Sequence, residues 1–91
     1  MKSIADFKRA MKPGTFWSCT HQYIGAHPSA PKELGTRECL VSNTVSFGFR
    51  TVSDSVSFSN WPKKAEFSVE GDTVVITKAG FCTLRYTQEN K

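Results

Sequence analysis

Between residues 15 and 87 apolar side chains fall at every second position, in short runs separated by turn residues, and that rhythm commits most of the chain to β-sheet. The clearest run is 45–50, where Val45, Phe47 and Phe49 alternate with Ser46, Gly48 and Arg50. Residues 15–24 place Trp17, Cys19, His21 and Tyr23 on one face, and 37–42 do the same for Cys39 and Val41. Val56 and Phe58 alternate with serines, Phe67 and Val69 open a further strand, 73–77 returns, and 81–87 carries Cys82, Leu84 and Tyr86 on one face. Turn residues punctuate these runs at Asn43-Thr44, Ser53-Asp54, Gly71-Asp72 and Ala79-Gly80. Trp61-Pro62-Lys63-Lys64 breaks the sheet, because proline cannot donate to a ladder. Residues 25–35, with two glycines and two prolines, have no period and are expected to be the longest loop. The serines of 53–59 are expected on a polar outer face, and 88–91 as a frayed tail.

The N-terminus changes period. Ser3 followed by Asp6 fits a capping box, and Ile4, Phe7, Ala10 and Met11 form a helical stripe. Lys8, Arg9 and Lys12 lie where cations suit the helix dipole, and Pro13-Gly14 stops the helix. A helix over about 3–12 is too short to stand alone in water, so its stripe must dock. The expected fold is mainly β (α+β): this helix caps the open end of a strongly bent antiparallel meander of six or seven strands, half closed or closed into a small barrel. With 91 residues there is room for one core, so 1–91 reads as a single domain. Seven Phe, two Trp and two Tyr supply its bulk.

No apolar run approaches the ~20 residues that cross a bilayer, and no continuous hydrophobic stretch follows Lys2, so neither a membrane span nor a secretory signal is expected. Three widely spaced cysteines are odd in number and read as reduced thiols of a cytoplasmic protein.

Catalytic sets are missing. Cys19 and His21 share a strand face, and Cys39, Cys82 and His27 would have to complete a zinc site, but the spacing fits no known ribbon or finger. A Cys19–His21 nucleophile lacks a third orienting group. Glu70 and Asp72 flank a hairpin glycine, Glu66 is expected to face solvent, and the six glycines are scattered singly with no phosphate loop. The expectation is a non-enzymatic protein without metal or cofactor.

What remains is binding. The net charge is +4. Trp61 beside Lys63 and Lys64, with Arg50 and Arg85 on strands and Lys8, Arg9 and Lys12 on the helix, suits either an acidic protein surface or single-stranded nucleic acid. Trp61 is then a stacking platform or, alternatively, a plug of the barrel. Arg37, Arg50 and Arg85 are the cations for a third option, a pocket for a small anionic ligand such as a nucleotide. An unpaired sheet edge also offers a route to a homodimer.

Four segments, SIADFKRAMKPG at 3–14, TRECLVSNTVSF at 36–47, NWPKKAEF at 60–67 and TLRY at 83–86, together resemble small uncharacterised proteins of bacteriophages and other bacterial mobile elements. The resemblance implies a bacterial cytoplasm and a part in the contest between phage and host. It implies an anti-CRISPR-like protein that inhibits or sequesters a host factor, a CRISPR effector among the candidates. Such a protein works by docking on an acidic patch or by occupying a nucleic-acid site.

Overall fold

The computed structural model describes residues 2–89. Helix α1 (Ile4–Ala10) is followed by strands β1 (Phe16–Tyr23), β2 (Lys32–Ser42), β3 (Ser46–Arg50) and β4 (Val56–Asn60), a 3-10 turn η1 (Lys64–Glu66), and strands β5 (Phe67–Glu70), β6 (Thr73–Lys78) and β7 (Cys82–Glu89). Every pairing is antiparallel, in the order β4-β3-β2-β1-β7-β6-β5. Followed round, this is an up-and-down meander in which β7 returns to pair with β1. The pair that would close a barrel, β4 with β5, is not hydrogen-bonded, so the sheet stays open along that seam.

The seam is filled by aromatic side chains instead. Phe7, on the buried stripe of α1, meets the rings of Trp17, Phe47, Trp61, Phe67 and Tyr86, with centroids 5.7–6.1 Å away. Phe67 opens β5, and Trp61 directly follows β4, so Phe7 bridges the two edges that hydrogen bonds leave apart. Met11, just past α1, and Cys19, Cys39, Phe49, Val74 and Ile76 on the inner face of the curled sheet complete the core. Burying each large apolar side chain contributes about 1.5–3 kcal/mol, and this central packing is what a seven-residue helix needs to persist.

Local chemistry sets the boundaries. Ser3 Oγ accepts the Asp6 N–H, and Asp6 in turn accepts the Lys2 backbone N–H. That backbone bond, helped by the nearby Arg9 guanidinium, holds the Asp6 carboxyl below its ordinary pKa. The helix ends at Ala10, two residues earlier than the sequence suggests, because Lys12 precedes Pro13 and is steered out of helical geometry. Asn43 Oδ1 accepts the N–H groups of Val45 and Ser46 and makes the β2–β3 turn, which leaves Val45 outside the strand.

Four expectations are corrected. The expected loop over 25–35 ends at Pro31, and β2 begins at Lys32. Pairing with β1 shifts register between Cys19 and Thr20, so Leu34 becomes an extra residue beside Gly35 at φ +80°, and the bulge hides the period of two. A second shift, between Cys39 and Val41, puts Val41 opposite Gly48 and off the Cys39 face. Gln88 and Glu89 are not frayed but belong to β7, where Glu89 accepts a bond from Thr36; Asn90 and Lys91 lie outside the described residues. Glu66 is half-buried and caps η1 by accepting the Lys63 N–H.

The serines of β4 are also on the side opposite to the one expected. Ser57 and Ser59 pair with Phe49 and Phe47 and therefore share the inner face, where Ser59 hydrogen-bonds Tyr86. Val56 and Phe58 are turned outward, and Phe58 is 60% exposed. Gly48, opposite Phe58, leaves the room: a Cβ there would lie 2.7 Å from Val56 Cγ1 and 3.2 Å from Phe58 Cδ1.

Candidate interaction surface

The cations divide by type. Arg9 pairs with Asp6, and Arg50 pairs with Asp54 and lies 3.5 Å from Glu38. Arg85 reaches Gln22 Oε1 at 3.3 Å and Glu70 at 3.9 Å, and Arg37 Nε donates to the Leu34 carbonyl at 3.2 Å. Each arginine is committed to a neighbour in the fold. Among the described residues no lysine enters an ion pair. The lysines are therefore the charges a partner meets without first displacing an internal carboxylate.

Some of these lysines collect at one place. Lys2, Ser3, Ile4 and Ala5 at the start of α1 face Lys64 and Phe67 across a groove of about 490 Å³. Its apolar lining follows from packing: Ile4 begins the helical stripe that buries Phe7, and Phe67 is held 6.1 Å from the Phe7 ring. Both are half-buried, so each offers part of its surface to the groove. Lys8, one turn along α1 from Ile4, sits with Nζ 5.5 Å from the centre of the Trp61 ring. Lys63 precedes η1 and is exposed, as is Lys12 just beyond the other end of α1.

Trp61 takes the plug position. Its Nε1 donates to the Asn43 carbonyl at 2.8 Å, and its ring lies 4.7 Å from Phe47 and 5.7 Å from Phe7. With Lys8 also against the ring, Trp61 is not presented as a free face on which a base could stack.

The three strand arginines do not converge. Arg37 and Arg50 line one cavity of about 260 Å³ together with Phe16, Leu34 and Glu38. Glu38 and Asp54 offset the charge there. Arg85 is on β7, paired with Thr20 and Val75 on the outer face, and its partners are Gln22 and Glu70. Arg50 also stands apart from the lysine groove: it ends β3, whereas Trp61 sits past the opposite end of the β3–β4 hairpin, about 15 Å away at strand rise.

The cysteines are core residues. Cys19, Cys39 and Cys82 are buried free thiols; Cys19 Sγ donates to the Trp17 carbonyl and Cys39 Sγ to that of Val41. Burial pushes the Cys19 thiol up to about 11, which suppresses the thiolate a nucleophile or metal ligand needs. Among the described residues no three His, Cys, Asp or Glu side chains gather as a metal site would require.

Lys2, Ile4 and Phe67 as groove residues escape sequence reasoning, since nothing local announces that residues 2–5 meet 64–67. No helix among the described residues is long and apolar enough to cross a membrane. Comparisons with protein-family models, curated proteins and solved structures find no match to this chain.

Proposed function

We propose that the protein is a non-enzymatic binding protein that docks through its lysine-rimmed groove on an acidic, partly apolar surface of a host protein and blocks that protein sterically. The observation that carries this is the groove itself: Lys2 and Lys64, without an ion pair among the described residues, flank a lining that includes Ile4 and Phe67. Such a site suits a carboxylate-bearing segment with an apolar anchor, because the charges steer the encounter and the apolar contact holds it. The phage and mobile-element resemblance supplies the setting, in which the blocked partner is a host defence factor, with CRISPR effectors in that class. The net charge of +4 argues against mimicry of nucleic acid, since a basic molecule is repelled from a basic nucleic-acid channel.

Single-stranded nucleic acid is less favoured because Trp61 is used within the fold. A small anionic ligand is less favoured because Arg37 and Arg50 share their cavity with a carboxylate while Arg85 is elsewhere.

The test compares a fluorescent Glu-rich peptide carrying one Phe with an oligothymidylate of equal charge. The peptide binds more tightly than the oligonucleotide, weakens with salt, and loses about tenfold or more in affinity in the Lys2→Glu/Lys64→Glu double variant. The melting temperature of the variant stays close to that of the unmodified protein, because both side chains are exposed. Tighter binding of the oligonucleotide, or equal peptide binding by the double variant, contradicts the proposal.

A further inference from the structure

β2 is eleven residues long and β3 five, and their pairing stops where Cys39 meets Phe49. The first half of β2 therefore runs past the end of β3 and leaves a notch beside the β3–β4 turn. The cavity of about 260 Å³ lies in this notch, between residues of β2 and residues 50–52, with Phe16 of β1 in its lining. It shares no residue with the lysine-rimmed groove.

The charges already used within the fold decide what an entrant meets there. Asp54 pairs with Arg50, whose contact with Glu38 is looser, at 3.5 Å. Arg37 anchors its Nε on the Leu34 carbonyl, and its two terminal nitrogens have no hydrogen-bond or ion-pair partner among the described residues. Arg37 and Glu38 line the same cavity without pairing with each other. With Asp54 set against Arg50, one positive and one negative group remain. Phe16, Leu34 and Val52 supply the apolar part of the lining. Val52 is 96% exposed, so covering it is favourable.

We propose that this cavity binds a free α-amino acid with an apolar side chain. The ligand's carboxylate takes the terminal nitrogens of Arg37, because a guanidinium fork matches a carboxylate in shape and charge. Its ammonium takes Glu38, and its side chain lies against Leu34 and Val52. An anion alone is repelled by Glu38 and a cation alone by Arg37, whereas a zwitterion satisfies both. The carboxylate that disfavours a simple anion therefore favours this ligand. Size agrees: sites for drug-sized molecules span about 300–1,000 Å³, and this cavity is smaller.

Amide NMR titration of the isotopically labelled full chain with L-leucine tests this. N-acetyl-L-leucine, L-leucinamide and glycine serve as comparisons that lack, in turn, the ammonium, the carboxylate and the apolar side chain. L-leucine binds with a Kd of about 1 mM or tighter and shifts amides of residues 34–38 and 50–52. Each comparison binds at least about tenfold more weakly. Arg37→Gln and Glu38→Gln each weaken L-leucine by about tenfold or more, and Glu38→Gln no longer prefers it to N-acetyl-L-leucine. The amide spectra show whether these variants fold, and the comparison ligands on the unmodified chain decide the matter without them. The Lys2→Glu/Lys64→Glu variant binds L-leucine as the unmodified chain does, which separates this site from the groove. No shifts with about 10 mM L-leucine overturn the proposal, as do equal binding of the blocked derivatives or L-leucine binding that survives both cavity substitutions.

Discussion

Phe7→Ala is expected to destabilise the protein by about 3–5 kcal/mol, the range for deleting a fully buried phenylalanine ring. For a domain of this length that lowers the melting temperature by about 15–30 °C, and because small domains are marginal, a large unfolded fraction at 37 °C follows. The reason lies in the open seam. Five aromatic neighbours converge on Phe7, and two of them, Trp61 just after β4 and Phe67 at the start of β5, flank the seam between those unpaired strands. Removing the ring leaves a void at the place where no hydrogen bonds hold the two edges together. Ile4→Ala, at a half-buried position on the same stripe, costs much less. Thermal melts followed by circular dichroism measure both. A Phe7→Ala loss below about 1 kcal/mol would show that α1 does not organise the core.

Stability is expected to fall as pH rises from 9 to 11. Burial raises Cys19 from its ordinary 9.0 to about 11. The unfolded chain releases this proton near pH 9, whereas the folded chain keeps it to about pH 11. Between those values the folded state binds more protons, so the stabilisation is complete below pH 9 and is lost as pH climbs through the window. Two pH units correspond to about 3 kcal/mol from Cys19 alone. Cys39, Cys82 and Tyr86 are raised by burial as well and act in the same direction. Urea midpoints at pH 8, 9, 10 and 11, compared between the unmodified chain and Cys19→Ala, isolate the thiol. The variant starts less stable, since a buried side chain is trimmed, but its stability declines less steeply with pH. Equal slopes would remove Cys19 as the cause.

Much of the fold is legible in the sequence where period and turn chemistry agree. Residues 47–50 of the run 45–50 and the Gly71-Asp72 hairpin fall where alternation and turn residues place them, with Val45 taken into the Asn43 turn, and Ser3 caps the helix as its spacing implies. The start of β2 is not legible because the bulge at Leu34 slips the alternation by one residue, and the bulge at Leu40 hides the facing of Val41 in the same way. The facing of β4 is hidden for a related reason: S-V-S-F-S alternates in either sense, and only pairing with Phe47 and Phe49 decides that the serines turn inward. At the candidate surface, Lys64 and Lys8 are visible as cations beside Trp61, whereas the contribution of Lys2 depends on the helix folding back over the β5 end. Whether a cation is free is likewise a tertiary fact. Arg50 reads as exposed charge in the sequence, yet its carboxylate partners, Glu38 and Asp54, come from a neighbouring strand and a turn.

The most direct test of the binding account is affinity capture from nuclease-treated bacterial lysate, with the unmodified chain and the Lys2→Glu/Lys64→Glu variant compared side by side at low and high salt. The expected result is a protein, identified by mass spectrometry, that is retained by the unmodified chain at low salt, survives nuclease, and is lost with the double variant. Equal retention by both chains, or recovery that disappears once nucleic acid is digested, would contradict it.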